Sequence, residues 1–479
     1  MTAPYDLVIV GLGSAGLAAA EMAAGLELRV AAIERDRPGG HRLWSGEVPV
    51  AALAATARAA HAMRHADHLG LRSTDPFVDL ATVWRRVRAV QAGIAAQNAA
   101  LDRLRDLGVD VFIGTGRAGD TEGGGAGVDA GAVTITAADS DGVPDLTVWG
   151  RFVLWCTGSR PTLPRIAGLA DTSHHTVETF FHLDHPPASM VVLGSGAHAV
   201  TLAQSLQRLG VATTIVAEAP RLLPHDEPTL VAQLTAHLVR EGMSVEADTW
   251  VDSVAPVGDG DNRVRVVLDD DREVVAGGLL VVAGRTPCTD ESGIATGADG
   301  LDVDVRGRSA VRTVYAAGSV TGQHHHPHAS VHEALRAVRD MFLPGRPSAD
   351  DLVPTCTLTE PALARVGLTG AEADTLHGDD ADVWTMSLDH LDRARADGSP
   401  EGALVVVTAN ERVVGAHLLA PGAGETIHEL ALAVRHGMKL ADIAALVHVP
   451  TTVAAGIGRL AVDSGIERVQ RYRWLLRRS

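Results

Sequence analysis

Short apolar runs that end at glycine-rich turns recur along the chain, and the first is followed by a helix-forming stretch. Residues 5–10 (YDLVIV) form such a run, GLGSAG follows, and LAAAEMAAGL then precedes a second run, RVAAIE, which ends at Glu34. Apolar runs of this length are typical of buried strands. The pattern predicts a βαβ unit at the start of the chain. It predicts another from Met190, where MVVLGSGAHAVTLAQSLQRLG is followed by ATTIVAE.

The remaining pattern predicts one long helix, an antiparallel region and a separate C-terminal module. Residues 77–107 predict an amphipathic helix that Gly108 closes. Residues 115–146 are rich in Gly, Asp and Thr and predict short antiparallel strands with loose turns. RFVLWCTGSRPTLP then predicts a buried strand followed by a turn. From about residue 350 onward, strand-like stretches followed by helix-like ones predict an α+β module.

Composition and charge exclude several classes of protein. The 479-residue chain carries a formal net charge of −18, which gives no electrostatic footprint for nucleic-acid binding. Its three cysteines are too scattered for a zinc pattern or a disulfide framework. No basic segment precedes the N-terminal apolar run, and no apolar stretch is as long as a membrane span. We therefore expect a cytoplasmic protein, with the basic tail RVQRYRWLLRR as a helical extension rather than a membrane contact.

GLGSAG has the G-x-G-x-x-G spacing of a dinucleotide-binding turn between a strand and a helix. Gly11 allows the tight turn, Gly13 lets a pyrophosphate approach the backbone, and Gly16 lets the helix pack closely on the strand. The phosphates then lie at the helix N-terminus, and Glu34 can accept hydrogen bonds from ribose hydroxyls. The sequence predicts a dinucleotide site here.

The second βαβ unit carries the related pattern G-x-G-x-x-A in Gly194, Gly196 and Ala199, which predicts a second dinucleotide site. Glu218 ends its second strand, and an acid at that position favours NADH over NADPH. Arg221 lies close by in sequence and leaves NADPH open.

Ordered motifs along nearly the whole chain resemble those of the pyridine nucleotide–disulfide oxidoreductases, dihydrolipoamide dehydrogenase and mercuric reductase among them. The motifs are GLGSAG, CTGSRP, GSGAHA, RLLP, AGRTP, YAAGS, LTEPALARVGLT, DRARADG and HLLAPGAGETIHELALA. The resemblance implies an α/β fold with two Rossmann-like domains, one for FAD and one for NAD(P), and a C-terminal α+β domain that forms a homodimer. The implied boundaries are 1–165 and 284–348 for the FAD domain, 166–283 for the NAD(P) domain and 349–479 for the dimerisation domain.

The resemblance and the two glycine patterns give a set of expected cofactor residues. They are Gly11, Gly13, Ser14, Ala15, Gly16, Glu34, Arg35, Gly40, Thr157, Gly158, Gly194, Gly196, Ala199, Glu218, Gly284, Gly318 and Ser319. One of these residues departs from the family. Where the family has an acidic residue that binds the ribityl chain of FAD, this chain has Ser319. A serine still offers one hydrogen bond, so this change costs roughly 1 kcal/mol rather than abolishing FAD binding.

The loop GGHRLWSGEVPVAAL departs from the family more strongly. The resemblance places the two redox-active cysteines at Arg42 and Glu47, and neither residue forms a thiolate. Further changes fall at the positions that the resemblance gives to a lysine near the flavin, its acidic partner and a C-terminal His–Glu pair. The residues at these positions are Ala51, Thr201, Val449 and Ala454, and His448 lies one residue out of place. A dithiol relay needs two sulfurs, so disulfide reduction by the family's mechanism is excluded.

Arg42 and Glu47 have two interpretations. As catalytic residues, the guanidinium would clamp an anionic or carbonyl substrate and the carboxyl would act as acid or base. Alternatively, they form a local ion pair that fills the vacated space. Trp44 between them either stacks on substrate or fills space.

Five histidines in GQHHHPHASVHEALRA form a candidate cluster: His324, His325, His326, His328 and His332. His328 and His332 have a spacing that chelates metal on a helix. No cysteine or Glu-x-x-His pattern accompanies them, so we expect a solvated or interface cluster and no metal site.

Three functions fit these features. The first is an FAD enzyme that transfers hydride from NAD(P)H to a small non-disulfide substrate, such as a quinone or a pathway metabolite. The second oxidises a small molecule in a biosynthetic pathway through the flavin. The third is a catalytically silent dinucleotide-binding dimer. Intact glycine patterns in both units favour the first two, because a silent scaffold needs neither site.

Overall fold

The computed structural model describes residues 4–119, 131–136, 145–258, 263–345 and 352–471. Up to residue 161 the described chain forms seven strands and five helices. The strands are β1 (Tyr5–Val10), β2 (Val30–Glu34), β3 (Asp110–Ile113), β4 (Thr115–Ala118), β5 (Gly131–Thr136), β6 (Leu146–Trp155) and β7 (Ser159–Pro161). The helices are α1 (Ser14–Gly25), α2 (Gly40–Trp44), α3 (Glu47–Arg64), α4 (Leu80–Asn98) and α5 (Ala100–Asp106).

The first sheet has the strand order β3-β2-β1-β6-β5-β4. Strands β3, β2, β1 and β6 are parallel, and β5 and β4 continue the sheet antiparallel. Strand β1 lies between β2 and β6, which is why Leu7, Val8 and Ile9 are all fully buried. The predicted first βαβ unit is confirmed as β1-α1-β2.

The single helix predicted over residues 77–107 is two helices in the structure. Helix α4 begins after Asp79, whose side chain caps the backbone N–H groups of Ala81 and Thr82, and it ends at Ala99, which has a positive φ of 40°. The two halves bury their apolar residues in different cores, since Trp84 of α4 packs with α3 and Leu104 of α5 packs against β1. A straight helix cannot serve both cores, so the prediction of one helix was wrong.

Residues 162–287 form a second nucleotide-binding fold. Its strands are β8 (His175–Thr176), β9 (Ser189–Leu193), β10 (Ala212–Ala217), β11 (Ser244–Ala247), β12 (Val251–Pro256), β13 (Val264–Leu268), β14 (Glu273–Ala276), β15 (Leu279–Val281) and β16 (Arg285–Pro287). Its helices are α6 (Val177–Phe180), α7 (Ala197–Arg208) and α8 (Pro228–Arg240). A parallel sheet runs β11-β10-β9-β15-β8, and an antiparallel one runs β12-β13-β14. The second predicted βαβ unit is confirmed as β9-α7-β10.

A short antiparallel ribbon of β7 and β16 marks both passages of the chain between the two nucleotide-binding folds. After β16 the chain returns to the first sheet, where β17 (Val314–Ala316) pairs with β6 and α9 (Pro327–Phe342) packs against α1. The first fold is thus built from two segments with the second fold inserted between them. This architecture is the one that the family resemblance implies.

The C-terminal part is an antiparallel sheet with helices packed on it. Its strands are β18 (Thr355–Thr357), β19 (Ala362–Gly367), β20 (Ala381–Ser387), β21 (Ala403–Ala409) and β22 (Arg412–Ala420), in the order β18-β19-β22-β21-β20. Its helices are α10 (Gly370–His377), α11 (Asp392–Ala396), α12 (Ala423–Arg435), α13 (Leu440–Ala444) and α14 (Ala454–Arg471). Most of the basic tail lies outside the described residues. Over the described ranges no helix has the length and apolar character needed to cross a membrane.

A buried ion pair ties helix α7 to its surroundings. Arg208 donates from Nε to Oε2 of Glu241 at 2.9 Å and from Nη2 to the carbonyl of Glu360 in the C-terminal part at 2.9 Å. Burial opposes ionisation of Glu241, but hydrogen bonds from Arg208 and His237 outweigh it and lower its pKa to about 2. The pair therefore stays ionised at neutral pH and anchors the C-terminal end of α7, whose N-terminal end reaches the candidate site.

Candidate active site

Two cavities occupy the ends of the two parallel sheets, where ligands bind in folds of this type. The first, of ≈ 500 Å³, is lined by the first glycine turn, and the second, of ≈ 1400 Å³, by the second turn. His41, Arg285 and His325 line both cavities. The two cavities therefore meet at these three side chains.

The first glycine turn has the backbone that a bound pyrophosphate requires. Gly11 has a φ of +96°, and a Cβ there would lie 2.4 Å from the carbonyl oxygen of Cys156. A Cβ on Gly16 would lie 1.8 Å from the carbonyl oxygen of Gly11. At Gly13 no protein atom lies nearer than 3.9 Å to an added Cβ. No side chain caps α1 at Gly13, so its first N–H groups remain available to an anion.

All predicted cofactor residues before residue 160 except Gly16, together with Gly318 and Ser319, line the first cavity. Glu34 is held at the end of β2, because its carboxylate accepts from the backbone N–H of Leu12 at 2.7 Å and of Asp36 at 3.0 Å. Buried Glu333, which the sequence analysis missed, accepts from the N–H of Gly318 at 2.7 Å. It fixes the turn that carries Ser319.

The second cavity collects the other predicted cofactor residues: Gly194, Gly196, Ala199, Glu218 and Gly284. Helix α7 begins after Gly196 without a side-chain cap. Glu218 is exposed at the end of β10. Arg221 does not line this cavity, since its guanidinium donates to the carbonyls of Pro224 at 2.6 Å and Asp226 at 3.1 Å. The carboxylate of Glu218 thus faces the cavity without that arginine.

The loop GGHRLWSGEVPVAAL folds as helix α2 and the start of α3. The Gln91 amide of α4 donates to the carbonyls of Leu43 at 3.1 Å and Trp44 at 2.8 Å. The indole N–H of Trp44 donates to the carbonyl of Pro38 at 2.9 Å, and the Arg37 guanidinium lies 3.9 Å from the indole ring centre. Trp44 lines the first cavity and serves to hold this loop.

The structure places Arg42 and Glu47 in different cavities. Arg42 is exposed and lines the first cavity, whereas Glu47 begins α3 and lines the second. Both residues are described, and the ion pairs found in the described chain include none between them. The alternative interpretation of a local ion pair has no contact to support it.

Glu47 instead lies beside two histidines that the sequence analysis did not select. Its Oε1 is 3.8 Å from Nε2 of His198 in the first turn of α7, and the rings of His198 and His41 are 5.7 Å apart, edge to face. One nitrogen or carboxylate oxygen from each of the three residues lies within 4.8 Å of the others. His198 lies in the GSGAHA motif and His41 in the loop GGHRLWSGEVPVAAL, so the two are far apart in sequence.

Burial controls the protonation of this cluster. It raises the pKa of Glu47 to about 7, against the lowering effect of a backbone hydrogen bond and of the nearby Arg42 and Arg285. Burial and Arg285 lower the pKa of His198 to about 4. The same two causes lower the pKa of His41 well below its usual range. At neutral pH both imidazoles are therefore uncharged.

Arg285 brings a fixed positive charge to the meeting point of the cavities. Its Nε donates to Oγ of Ser159 at 2.8 Å across the β7–β16 ribbon, and Nη2 reaches Oε1 of Glu178 at 3.1 Å. The side chain is only 11% exposed. Gly284 of the AGRTP motif was predicted from the sequence as a cofactor residue, but the neighbouring Arg285, which was not predicted, is the residue whose side chain reaches both cavities.

The three described cysteines are all free. Cys156 and Cys288 line the first cavity and Cys356 the second. Burial raises the pKa of all three thiols, to about 11 for Cys356. None is a ready thiolate at neutral pH.

In the C-terminal part, His448 and Val449 line neither cavity. His448 is bound within its own domain, with Nε2 at 2.9 Å from Oε1 of Glu429. The neighbouring Val449 is 70% exposed.

Two protein-family sequence models match this chain. The one described as pyridine nucleotide-disulphide oxidoreductase matches residues 5–337, and the one described as the dimerisation domain of that family matches residues 353–460. The chain belongs to the pyridine nucleotide-disulphide oxidoreductase family. As a member, it is an oxidoreductase that uses FAD and NAD(P)H.

Relatives within the family match the chain along almost its entire length. A mercuric reductase of Streptomyces lividans is 30% identical over 468 residues, which cover 95% of this chain and 94% of the relative. Dihydrolipoyl dehydrogenase 2 of Haloarcula marismortui is 28% identical over 493 residues, 98% of each chain. The crystal structure of LpdA from Mycobacterium tuberculosis superposes with a TM-score of 0.85 at 26% identity, covering 95% of this chain and 99% of LpdA.

A more distant structure shares the fold. The HOCl-induced flavoprotein disulfide reductase RclA of Escherichia coli has a TM-score of 0.81 at 22% identity, covering 96% of this chain and 99% of RclA.

The cofactors of the family fit the cavities that this chain forms. The first cavity offers uncapped N–H groups and a glycine turn for a pyrophosphate, with the carboxylate of Glu34 at the end of β2 for a ribose. The second offers the same elements with Gly196 and Glu218. The side chains at the junction, those of His41, Arg285 and His325, are the ones that FAD and NAD(P)H would share.

Replacing Gly13 with alanine should remove FAD while the fold survives. The added Cβ meets no protein atom nearer than 3.9 Å, but it enters the space in which a pyrophosphate approaches the backbone. We expect the flavin absorbance per purified chain to fall by about tenfold or more, with circular dichroism unchanged.

The matched change is Gly196→Ala, where an added Cβ likewise meets no protein atom within 4 Å. This variant should keep its FAD and be reduced more slowly by NADH. Full FAD content in Gly13→Ala, or loss of FAD in Gly196→Ala, would contradict the assignment of the two cavities.

Proposed function

We propose that this protein transfers hydride between NAD(P)H and a small non-disulfide substrate, such as a quinone or a pathway metabolite, through FAD. The observation that carries the proposal is the chemistry at the meeting point of the two cavities. The side chains there are the imidazoles of His41 and His325 and the guanidinium of Arg285, with Glu47 and His198 beside them. None of these residues is a thiol, and the cysteine thiols elsewhere have raised pKa values.

The cofactors supply the redox chemistry, since FAD accepts hydride from NAD(P)H and passes it on. The protein's part is to hold both dinucleotides, exclude water and bind the substrate. Arg285 supports this role because its position is fixed by Ser159 and Glu178, and a fixed guanidinium stabilises negative charge that develops on a substrate oxygen. A carbonyl or quinone oxygen has this chemistry, whereas a disulfide needs a thiolate to attack it.

Arg42 and Glu47 remain the proposed residues that border the substrate. Arg42 offers a guanidinium, whose five N–H donors suit it to binding or charge stabilisation. Arg42 lines the first cavity from helix α2, and Glu47 lines the second. We further propose a preference for NADH, because Glu218 would repel a 2′-phosphate and the guanidinium of Arg221 is already bound to backbone carbonyls.

We propose that the active form is a homodimer in the cytoplasm, where its free thiols would stay reduced. Support comes from the match to the family's dimerisation domain and from large apolar side chains left exposed in that part of the chain. Leu446, Val447 and Val449 are 51%, 99% and 70% exposed. An apolar patch of this kind is typical of a protein–protein interface.

The proposed reaction is tested by steady-state turnover of the FAD-loaded protein with NADH and two classes of acceptor. A benzoquinone should be reduced, whereas lipoamide and glutathione disulfide should not, because no thiolate relay is present. Cys288→Ser and Cys356→Ser should leave quinone turnover unchanged. NADH-dependent disulfide reduction that the serine variants abolish would refute the proposal.

The role of Arg42 is tested by Arg42→Ala. We expect the acceptor's KM to rise by about tenfold, the loss of one charge-assisted contact, with FAD content and flavin reduction by NADH nearly unchanged. The control is Arg85→Ala, since Arg85 is exposed on α4 and lines neither cavity. If Arg42→Ala instead loses FAD with no selective effect on the acceptor, Arg42 belongs to the flavin site and not to the substrate site.

A further inference from the structure

We propose that His41, His198 and Glu47 form a binding site for a divalent metal ion of the Zn²⁺ class, in the wall of the second cavity. The site would lie on the chain segment that carries the redox cysteines in the family. Its three ligands come from three elements: α2, the first turn of α3 and the first turn of α7.

The spacing of the donor atoms suits a small ion. One donor atom from each residue lies within 4.8 Å of the other two, and Nε2 of His198 is 3.8 Å from Oε1 of Glu47. A tetrahedral Zn²⁺ bound at about 2.1 Å places neighbouring ligand atoms about 3.4 Å apart. Small side-chain movements, of a few tenths of an ångström, would bring Nε2 of His198 and Oε1 of Glu47 from the observed 3.8 Å to this ligand spacing.

Two of the donor groups lack any partner in the protein. Nε2 of His41 and Oε2 of Glu47 are buried atoms, and neither has a hydrogen-bond partner among the described residues. An unsatisfied buried polar atom is costly, and a native fold retains one where something else binds it. The lack of a hydrogen-bond partner at these two atoms points to a bound ligand independently of the spacing of the donor atoms.

The surroundings of His41 match those of a metal-bound histidine. Its other nitrogen, Nδ1, lies 2.8 Å from Oγ of Ser45, a contact that fixes the ring and leaves Nε2 free. Gly46 keeps the space beside that atom open, because a Cβ there would lie 2.6 Å from Nε2.

The donor set indicates the class of ion. Two imidazoles and one carboxylate, with a fourth position open, make up a set that catalytic zinc sites use. Among the described residues, His41, Glu47 and His198 are the group of His, Cys, Asp or Glu side chains whose donor atoms lie close enough together to hold a metal ion. His328 and His332 are not part of this group. Arg285 lies nearby and opposes a cation, although Glu178 partly neutralises it.

An open fourth position would face the cavity in which the proposed hydride transfer takes place. A bound ion there would hold a water or a carbonyl, quinone or phenolate oxygen of the substrate and polarise it. This role rests on the proposed function, whereas the binding site itself does not. Binding is therefore measured without turnover.

The test is metal binding to the FAD-loaded protein after chelator treatment. Equilibrium dialysis against Zn²⁺ should give one tightly bound ion per chain. With Cu²⁺ as a paramagnetic probe, electron paramagnetic resonance should show hyperfine coupling to two imidazole nitrogens. His41→Gln and His198→Asn should each reduce this to one nitrogen, and both variants and Glu47→Gln should weaken Zn²⁺ binding by more than about tenfold.

The matched control is His377→Asn, on an exposed histidine of α10 that lines neither cavity, and it should bind Zn²⁺ like the unmodified protein. FAD content and elution volume show whether each variant is folded. The proposal is overturned if the unmodified protein binds no Zn²⁺, if its Cu²⁺ signal shows no coupling to two imidazoles, or if folded cluster variants bind like the control. A protein that binds the ion at this cluster but turns over no quinone would leave the site standing and refute the proposed function alone.

Discussion

Hydride transfer between two bound dinucleotides requires that their cavities adjoin, as the two cavities here do at His41, Arg285 and His325. The contacts that hold the two nucleotide-binding folds in this relative position are therefore the ones on which the site depends. The β7–β16 ribbon fixes both passages between the nucleotide-binding folds, and helix α3 of the first fold packs against α7 of the second. The buried pair of Arg208 and Glu241 anchors the far end of α7. Together these contacts bring the first turns of α3 and α7 face to face, which is why Glu47 and His198 come within 3.8 Å of each other.

This junction has the chemistry of a polar pocket inside a protein interior. Burial keeps the imidazoles of His41 and His198 neutral and raises the pKa of the Glu47 carboxyl to about 7, and the buried guanidinium of Arg285 is held by Ser159 and Glu178. Groups fixed in this way act on charge that develops during a reaction without having to reorganise. This pre-organised polar junction is the basis for the oxygen and metal chemistry that we propose for the protein.

Most of the fold was predictable because its signals are local. The turn at Gly11, Gly13 and Gly16 and the strands around it follow from residues near one another in sequence, and the structure places them as expected. The break at Ala99 was not predictable, because the two helices it separates pack in different cores and only tertiary structure shows this. The candidate site was predicted in part: Glu47 stood out as a replaced cysteine, but its neighbours His41 and His198 lie on separate elements. The packing of α3 on α7 brings His198 to Glu47, whereas Arg42 on α2 lines the other cavity.

The central claim is that the flavin is the redox centre of this protein and no dithiol works beside it. The most direct measurement is an anaerobic titration of the chelator-treated, FAD-loaded protein with NADH, followed by absorbance. One equivalent of NADH per flavin should bleach the flavin band completely, with no long-wavelength absorbance from a thiolate. Uptake of a second equivalent, with a long-wavelength band after the first, would show a dithiol in contact with the flavin and contradict the account.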